Sequence, residues 1–278
     1  MGLDVAGFHA EAEAAYIWLA ANQNADGSWF AGYQESSPSD RALDANFTAY
    51  IAVGLALHTR LHGETLAAQL WPTLERAIGF VRRLQRPTGE ITWRVGSNLA
   101  LLTGNCSIHH ALRHASALAA ALGRPRPAWD DTADRLRLAI SCPGLFEPKP
   151  HSMDWYYPVL GSVQPETALA ADWDRFVVPG LGVRCVHDQP WVTGGETSEL
   201  ALTLATRGRL AEATTLLGQV ERLRHADGSF WTGYQFEDRV LWPQERTTWT
   251  AGAYLLAQAA VTGNPAVHAV FGELQTGI

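Results

Sequence analysis

The chain has 278 residues, 47% of them hydrophobic and 18% charged, enough to bury one large core or two modest ones. A net charge of −7 and a pI near 5.8 argue against nucleic acid as a partner, because phosphate binding needs a basic stripe. No apolar run approaches the roughly 18–20 residues that cross a bilayer, and no basic-then-apolar leader is expected at the start, so no membrane partner and a cytoplasmic location are predicted. Cys106, Cys142 and Cys185 are odd in number and far apart, which fits a reducing compartment rather than a disulfide framework.

In chain order nearly every extended segment reads as helix. Residues 5–22 carry Tyr16, Trp18 and Leu19 at helical spacing and stop before the Asp26-Gly27 breaker. Residues 41–59 predict a second helix that is apolar nearly all round, through Phe47, Tyr50, Ile51, Val53, Leu55 and Leu57. Residues 64–86 are amphipathic, with Arg76, Arg82 and Arg83 interrupting Leu74, Ile78, Phe80 and Val81. A turn at Thr88-Gly89-Glu90 precedes a small, apolar helix over 104–122, and Pro125 and Pro127 open an amphipathic helix through Ile140. A turn at Pro143-Gly144-Leu145-Phe146 follows, then a short aromatic segment from Asp154 to Tyr157 and a helix over 165–175. The turn Pro179-Gly180-Leu181-Gly182-Val183 leads to an apolar helix over 194–207 and an amphipathic one over 208–224. An apolar helix over 245–262 and a last helix over 265–276 complete the chain.

Buried helices are apolar on all sides, and the helices that cover them carry one apolar stripe. Their alternation describes repeating helical hairpins. A direct repeat supports this: Asp26-Gly27-Ser28-Trp29-Phe30-Ala31-Gly32-Tyr33-Gln34 returns as Asp227-Gly228-Ser229-Phe230-Trp231-Thr232-Gly233-Tyr234-Gln235, an offset of 227 − 26 = 201. The expected fold is an all-α, α/α toroid of five to six hairpins, one domain over residues 1–278. An open solenoid is the alternative, but its end units should be polar caps, whereas here the end units match each other and carry the aromatics.

The same offset places Asp44 on Glu245, each 18 residues after its Asp-Gly-Ser and each before an apolar helix. Either acid alone reads first as a helix N-cap. As a repeat-related pair, near Trp29, Tyr33, Trp231, Tyr234 and Trp249, they match what glycoside hydrolysis requires: one acid to protonate the leaving oxygen and one base to activate water, with Trp93 a further candidate for binding the sugar. Glu245, among Trp242, Arg246 and Trp249, is the expected acid, and Asp44 the expected base. His109, Asp154, Trp155, Tyr156, Arg184, Asp188, Trp191, Glu196, Glu199 and Arg246 supply further polar and aromatic groups for a sugar-lined cavity.

Metal is not expected. Asp130-Asp131-Thr132-Ala133-Asp134 spells a diphosphate-and-magnesium motif, yet it falls in the first turn of an outer helix, where acids answer the helix dipole. Cys185, His187 and Asp188, or Cys106 with His109 and His110, could supply zinc ligands, but the first set is short for a loop that must fold back on one ion, and Cys106 reads as a buried helix residue. No cofactor is predicted.

Residues Tyr16 to Trp29, and more weakly Leu223 to Phe230, resemble the Gln–Trp repeat of terpenoid cyclases. That repeat is shared by protein prenyltransferase β-subunits and, more distantly, six-hairpin glycosidases, and it implies architecture alone. The segments Asp154 to Gly161, Gly182 to Val186 with Pro190 to Gly194, and Trp242 to Trp249 are similar to α-endomannosidases that cleave methylmannose polysaccharide. That resemblance implies a hydrolase of a partly O-methylated α-(1→4)-mannan and assigns no role to Asp44 or Glu245. The alternatives are an isoprenoid enzyme using diphosphate and Mg²⁺, and a non-catalytic glycan-binding protein.

Overall fold

A computed structural model describes residues 1–142 and 144–273. The expected turn residue Pro143 and the end of the expected last helix, 274–276, lie outside the described residues. Contacts gather the chain into two compact bodies, His9–Pro148 and Met1–Phe8 with Lys149–Ile278.

In the N-terminal body the helices are His9–Ala21, Ala45–Ala49, Ile51–His62, Thr65–Gln69, Trp71–Arg83, Leu102–Ala121 and Pro127–Ile140. Every residue from Ile51 to His58 is buried, so that helix is enclosed on all sides. Trp71–Arg83 instead buries Leu74, Ala77, Ile78 and Val81, one stripe at helical spacing. The predicted 64–86 helix is divided at Leu70 because Pro72 sits in the first turn of the second segment, where its missing N–H costs nothing.

The glycine turns repeat in atomic detail. Asp26 Oδ1 accepts from Ser28 N at 3.0 Å and Ser28 Oγ at 2.7 Å. Asp227 does the same for Ser229 at 3.0 and 2.6 Å. At two turns a Gln ties the glycine turn to the following outer helix. Gln23 Nε2 donates to Gly27 O and Thr73 O, both at 2.9 Å, and Gln85 Nε2 donates to Gly89 O at 2.8 Å and Thr132 O at 3.0 Å. Gly27 (φ +95) and Gly89 (φ +107) adopt backbone that L side chains avoid, and each lies against the carbonyl of the next helix, Arg76 or Arg135.

The C-terminal body holds Met153–Leu160, Gly194–Thr206, Leu210–Val220, Thr248–Val261 and Pro265–Phe271, with a short 3-10 helix at Glu166–Ala171. Gly194–Thr206 and Thr248–Val261 cross closely, because a Cβ on Gly194 would stand 2.8 Å from Thr250 Cγ2. Arg207, at the C-terminal end of Gly194–Thr206, donates to Val159 O and Phe271 O at 2.7 Å, joining three helix ends.

The all-α expectation is corrected. The chain is mainly helical but carries two sheets. In the N-terminal body Gly32–Gln34 pairs with Ser37–Asp40 across Glu35 (φ 57) and Ser36 (φ 110), a two-residue hairpin turn with positive φ at both positions. In the C-terminal body Val177–Val178, Gly182–Arg184, Trp191–Thr193, Gly233–Gln235 and Val240–Leu241 form an antiparallel sheet in that order. The repeated Gly-Tyr-Gln thus starts a strand in both copies. These strands are two to four residues long, too short for alternation to register in the sequence.

Candidate active site

Asp44 is 6% exposed and N-caps Ala45–Ala49, accepting from Phe47 N at 2.9 Å. Trp93, whose neighbour Arg94 lies over its ring at 4.5 Å, also hydrogen-bonds the carboxyl. Burial raises the Asp44 carboxyl above the usual aspartate range, opposed by the bonds from Phe47, Trp93 and Asn46 and by the Arg94 charge. The cap expected as the plain reading is therefore present, and the desolvation expected at Glu245 falls on Asp44 instead.

Glu245 is exposed and lies in an extended segment before Thr247, which is the cap of Thr248–Val261. Thr232 holds it: Thr232 N donates to Glu245 O at 3.1 Å and Thr232 Oγ1 to Glu245 Oε1 at 3.4 Å. Thr232 O in turn accepts from Gly194 N at 3.0 Å, which sets Glu245 beside the start of Gly194–Thr206. Trp249, 66% exposed, lies over Gly195 at that same end.

Glu196 and Glu199 are one turn apart on that helix. Thr193 Oγ1 donates to Glu196, whose place in the first turn suits the helix dipole. Tyr156 and Tyr157, from Met153–Leu160, donate to Glu199 at 2.5 and 2.8 Å. Burial, with the nearby Glu196 charge, raises Glu199 to about 7 against the two tyrosine bonds. Burial and Glu196 also push the Cys185 thiol well above its usual range. The C-terminal body thus brings Glu245, Glu196, Glu199, Tyr156 and Trp249 to one end of one helix. Tyr157 was missed as a site residue; the signal was the 196/199 spacing beside paired tyrosines.

Other expected site residues have structural duties. Trp29 is 6% exposed and its indole donates to Leu19 O at 2.8 Å. Trp155 is 8% exposed, donates to Leu169 O at 3.2 Å and stacks on Phe176. Both are core residues. Arg246 is tied to Asp227, to Ser229 Oγ at 2.9 Å and to His225, so it braces the glycine turn. Trp231 and Tyr234 pack against Val220, Leu223 and Phe230. Arg184 donates to Gln189 O at 2.9 Å and covers Phe236, and Asp188 is exposed. His109 is buried in Leu102–Ala121. Tyr33 is half-buried against Trp18, and Asp154 is half-buried in the first turn of its helix. Asp130 and Asp134 both face Arg113, at 3.6 and 2.5 Å.

In fold the chain is similar to a solved glycosidase in complex with glucose, at 17% identity, with a TM-score of 0.75 over 94% of this chain and 85% of that one. It is similar also to a D-mannose isomerase, at 11% identity and a TM-score of 0.60 over 87% and 77% of the two chains. No family model matches. A glycosidase fold together with the mannosidase relative described next makes the chain a glycoside hydrolase. The chain is 44% identical to MMP endo-(1,4)-3-O-methyl-alpha-D-mannosidase of Mycolicibacterium hassiacum, over 98% of this chain and 79% of that protein, and it belongs to that family.

Proposed function

We propose that the protein is an endo-acting mannosidase that cleaves α-(1→4) bonds inside a 3-O-methylated mannose polysaccharide. The 44% identity to a relative of that printed activity, over 98% of the chain, carries the proposal. A polymer rich in methyl ethers presents apolar faces between hydroxyls, and exposed tryptophan beside carboxylates suits both. We place the protein in the cytoplasm, supported by three free cysteines. No helix among the described residues is long and apolar enough to cross a membrane. We also read residues 1–278 as one α/α-toroid domain, a reading the glycosidase likeness over 94% of the chain supports.

In this reading Asp44 and Glu245 are the two carboxylates of the reaction, supported by their repeat equivalence. Their roles are the reverse of those expected from neighbouring residue types. Burial raises the Asp44 carboxyl, which suits a proton donor to the leaving oxygen, and Asp44 is assigned that role. Glu245 is exposed to water and serves as the base that activates it. With no covalent intermediate between them, the two roles give inversion of the anomeric centre.

The test offers the purified protein 3-O-methylated α-(1→4)-mannan oligosaccharides and, separately, prenyl diphosphates, each with and without EDTA. Cleavage of the mannan that survives EDTA is expected. Turnover of the prenyl diphosphates alone, or loss of cleavage on chelation, contradicts the proposal.

A further inference from the structure

We infer that the sheet of the C-terminal body carries a glycan subsite, a cleft where sugar units of the methylated chain lie against Trp242. The identity of the sugar rests on the function proposed above; the site itself rests on the sheet. Strand register sets Trp191, Gln235 and Val240 in one cross-strand row. Side chains alternate along a strand, so this row points away from the face formed by Val192, Tyr234 and Leu241. That second face is the one packed inward: Val192 is 1% exposed, and Tyr234 and Leu241 cover the Val220–Leu223–Phe230 cluster.

The outward face is nonetheless apolar. Trp242 is 52% exposed and Val240 46%. Trp191 meets Trp242 edge-on at 4.9 Å and donates its indole N–H to Trp242 O at 2.7 Å. The Trp191 ring lies over Gly233, where any Cβ would collide with Nε1, so the glycine is what seats it. Between these rings and the 186–190 loop is a cavity of about 490 Å³, within the usual range for small-ligand sites.

Polar groups at its rim favour a neutral polyhydroxyl ligand. The carboxylate of Asp238 can accept from hydroxyls and repels anions. Gln235 spends its Oε1 on the Asp238 N–H at 2.6 Å, which leaves its amide nitrogen to donate. Methyl ethers cannot donate a hydrogen bond, and their methyl groups pack on Val240 and Pro190.

The test uses ¹⁵N-labelled Glu245→Gln protein and a 3-O-methylated α-(1→4)-mannan oligosaccharide, following the eleven indole N–H signals. The Trp191 and Trp242 signals should shift saturably. In otherwise wild-type protein, Trp242→Ala should raise KM for the polymer about tenfold with a much smaller change in kcat, as loss of one aromatic contact implies. Indoles that stay still while wild-type protein cleaves the oligosaccharide overturn the subsite and leave the activity standing. Indoles that shift without any cleavage by wild type support the subsite and sink the proposed activity. An extended valine-rich peptide that moves the same signals at lower concentration than the sugar would assign the cleft to a peptide and overturn the inference.

Discussion

Tyr156 donates its hydroxyl to Glu199 at 2.5 Å, from a ring that is fully buried. The bond favours the charged carboxylate, but burial outweighs it, and Glu199 titrates near 7 in the fold against 4.5 when unfolded. The folded state therefore holds more protons between those values. Its stability benefit is complete below pH 4.5 and is lost as pH rises through 7, on the order of 3 kcal/mol in all. Glu199→Gln should flatten that dependence. Urea midpoints taken from pH 5 to pH 8 check it: parallel curves for wild type and variant would show that Glu199 does not titrate there.

The glycine turns predict an asymmetry. Gly27→Ala meets both a positive φ and the Arg76 carbonyl oxygen, whereas Gly228→Ala meets the positive φ (+90) with open space around it. Gly228→Ala should cost about 1 kcal/mol from backbone strain. Gly27→Ala should cost about 2–4 kcal/mol, since an overpacked contact adds to the strain. Chemical denaturation of the two variants side by side measures the difference, and equal losses would mean the Arg76 contact gives way freely.

Asp44 has two duties that substitutions separate. Asparagine caps a helix as well as aspartate does, so Asp44→Asn should leave the melting temperature within a few degrees of wild type. It should lower turnover by roughly 10²–10⁴-fold, because the amide cannot give up a proton. Asp44→Ala should lose the same activity and about 1 kcal/mol of stability besides. An Asp44→Asn protein that unfolds yet keeps full activity in its folded fraction would make Asp44 a cap alone.

Much of this was legible in the sequence, for physical reasons. Helices of a dozen residues or more, such as Leu102–Ala121 and Pro127–Ile140, declare themselves by periodicity. The repeat exposed the glycine turns and paired Asp44 with Glu245. The family was visible in the Asp154–Gly161 and Trp242–Trp249 segments. What escaped was tertiary. The five-stranded sheet is built from strands of two or three residues, and its pairing joins Trp191 to Gln235, 44 residues later. Tryptophan content could not tell Trp29, whose indole is satisfied in the core, from Trp249, which is exposed. Residue types around Glu245 suggested desolvation, but an apolar neighbour in sequence shields a carboxyl only if its ring folds over it, and Glu245 stays exposed.

The Asp44–Glu245 assignment is tested most directly by the products of a single substrate. A 3-O-methylated α-(1→4)-mannan oligosaccharide is incubated with wild type, Asp44→Asn and Glu245→Gln, with product lengths read by mass spectrometry and the new anomer by proton NMR within the first minutes. Wild type should release internal fragments whose new reducing ends appear first as the β anomer, and both variants should be slower by at least about a hundredfold. Wild-type cleavage that either variant matches would contradict the account, because the chemistry would then lie with other residues.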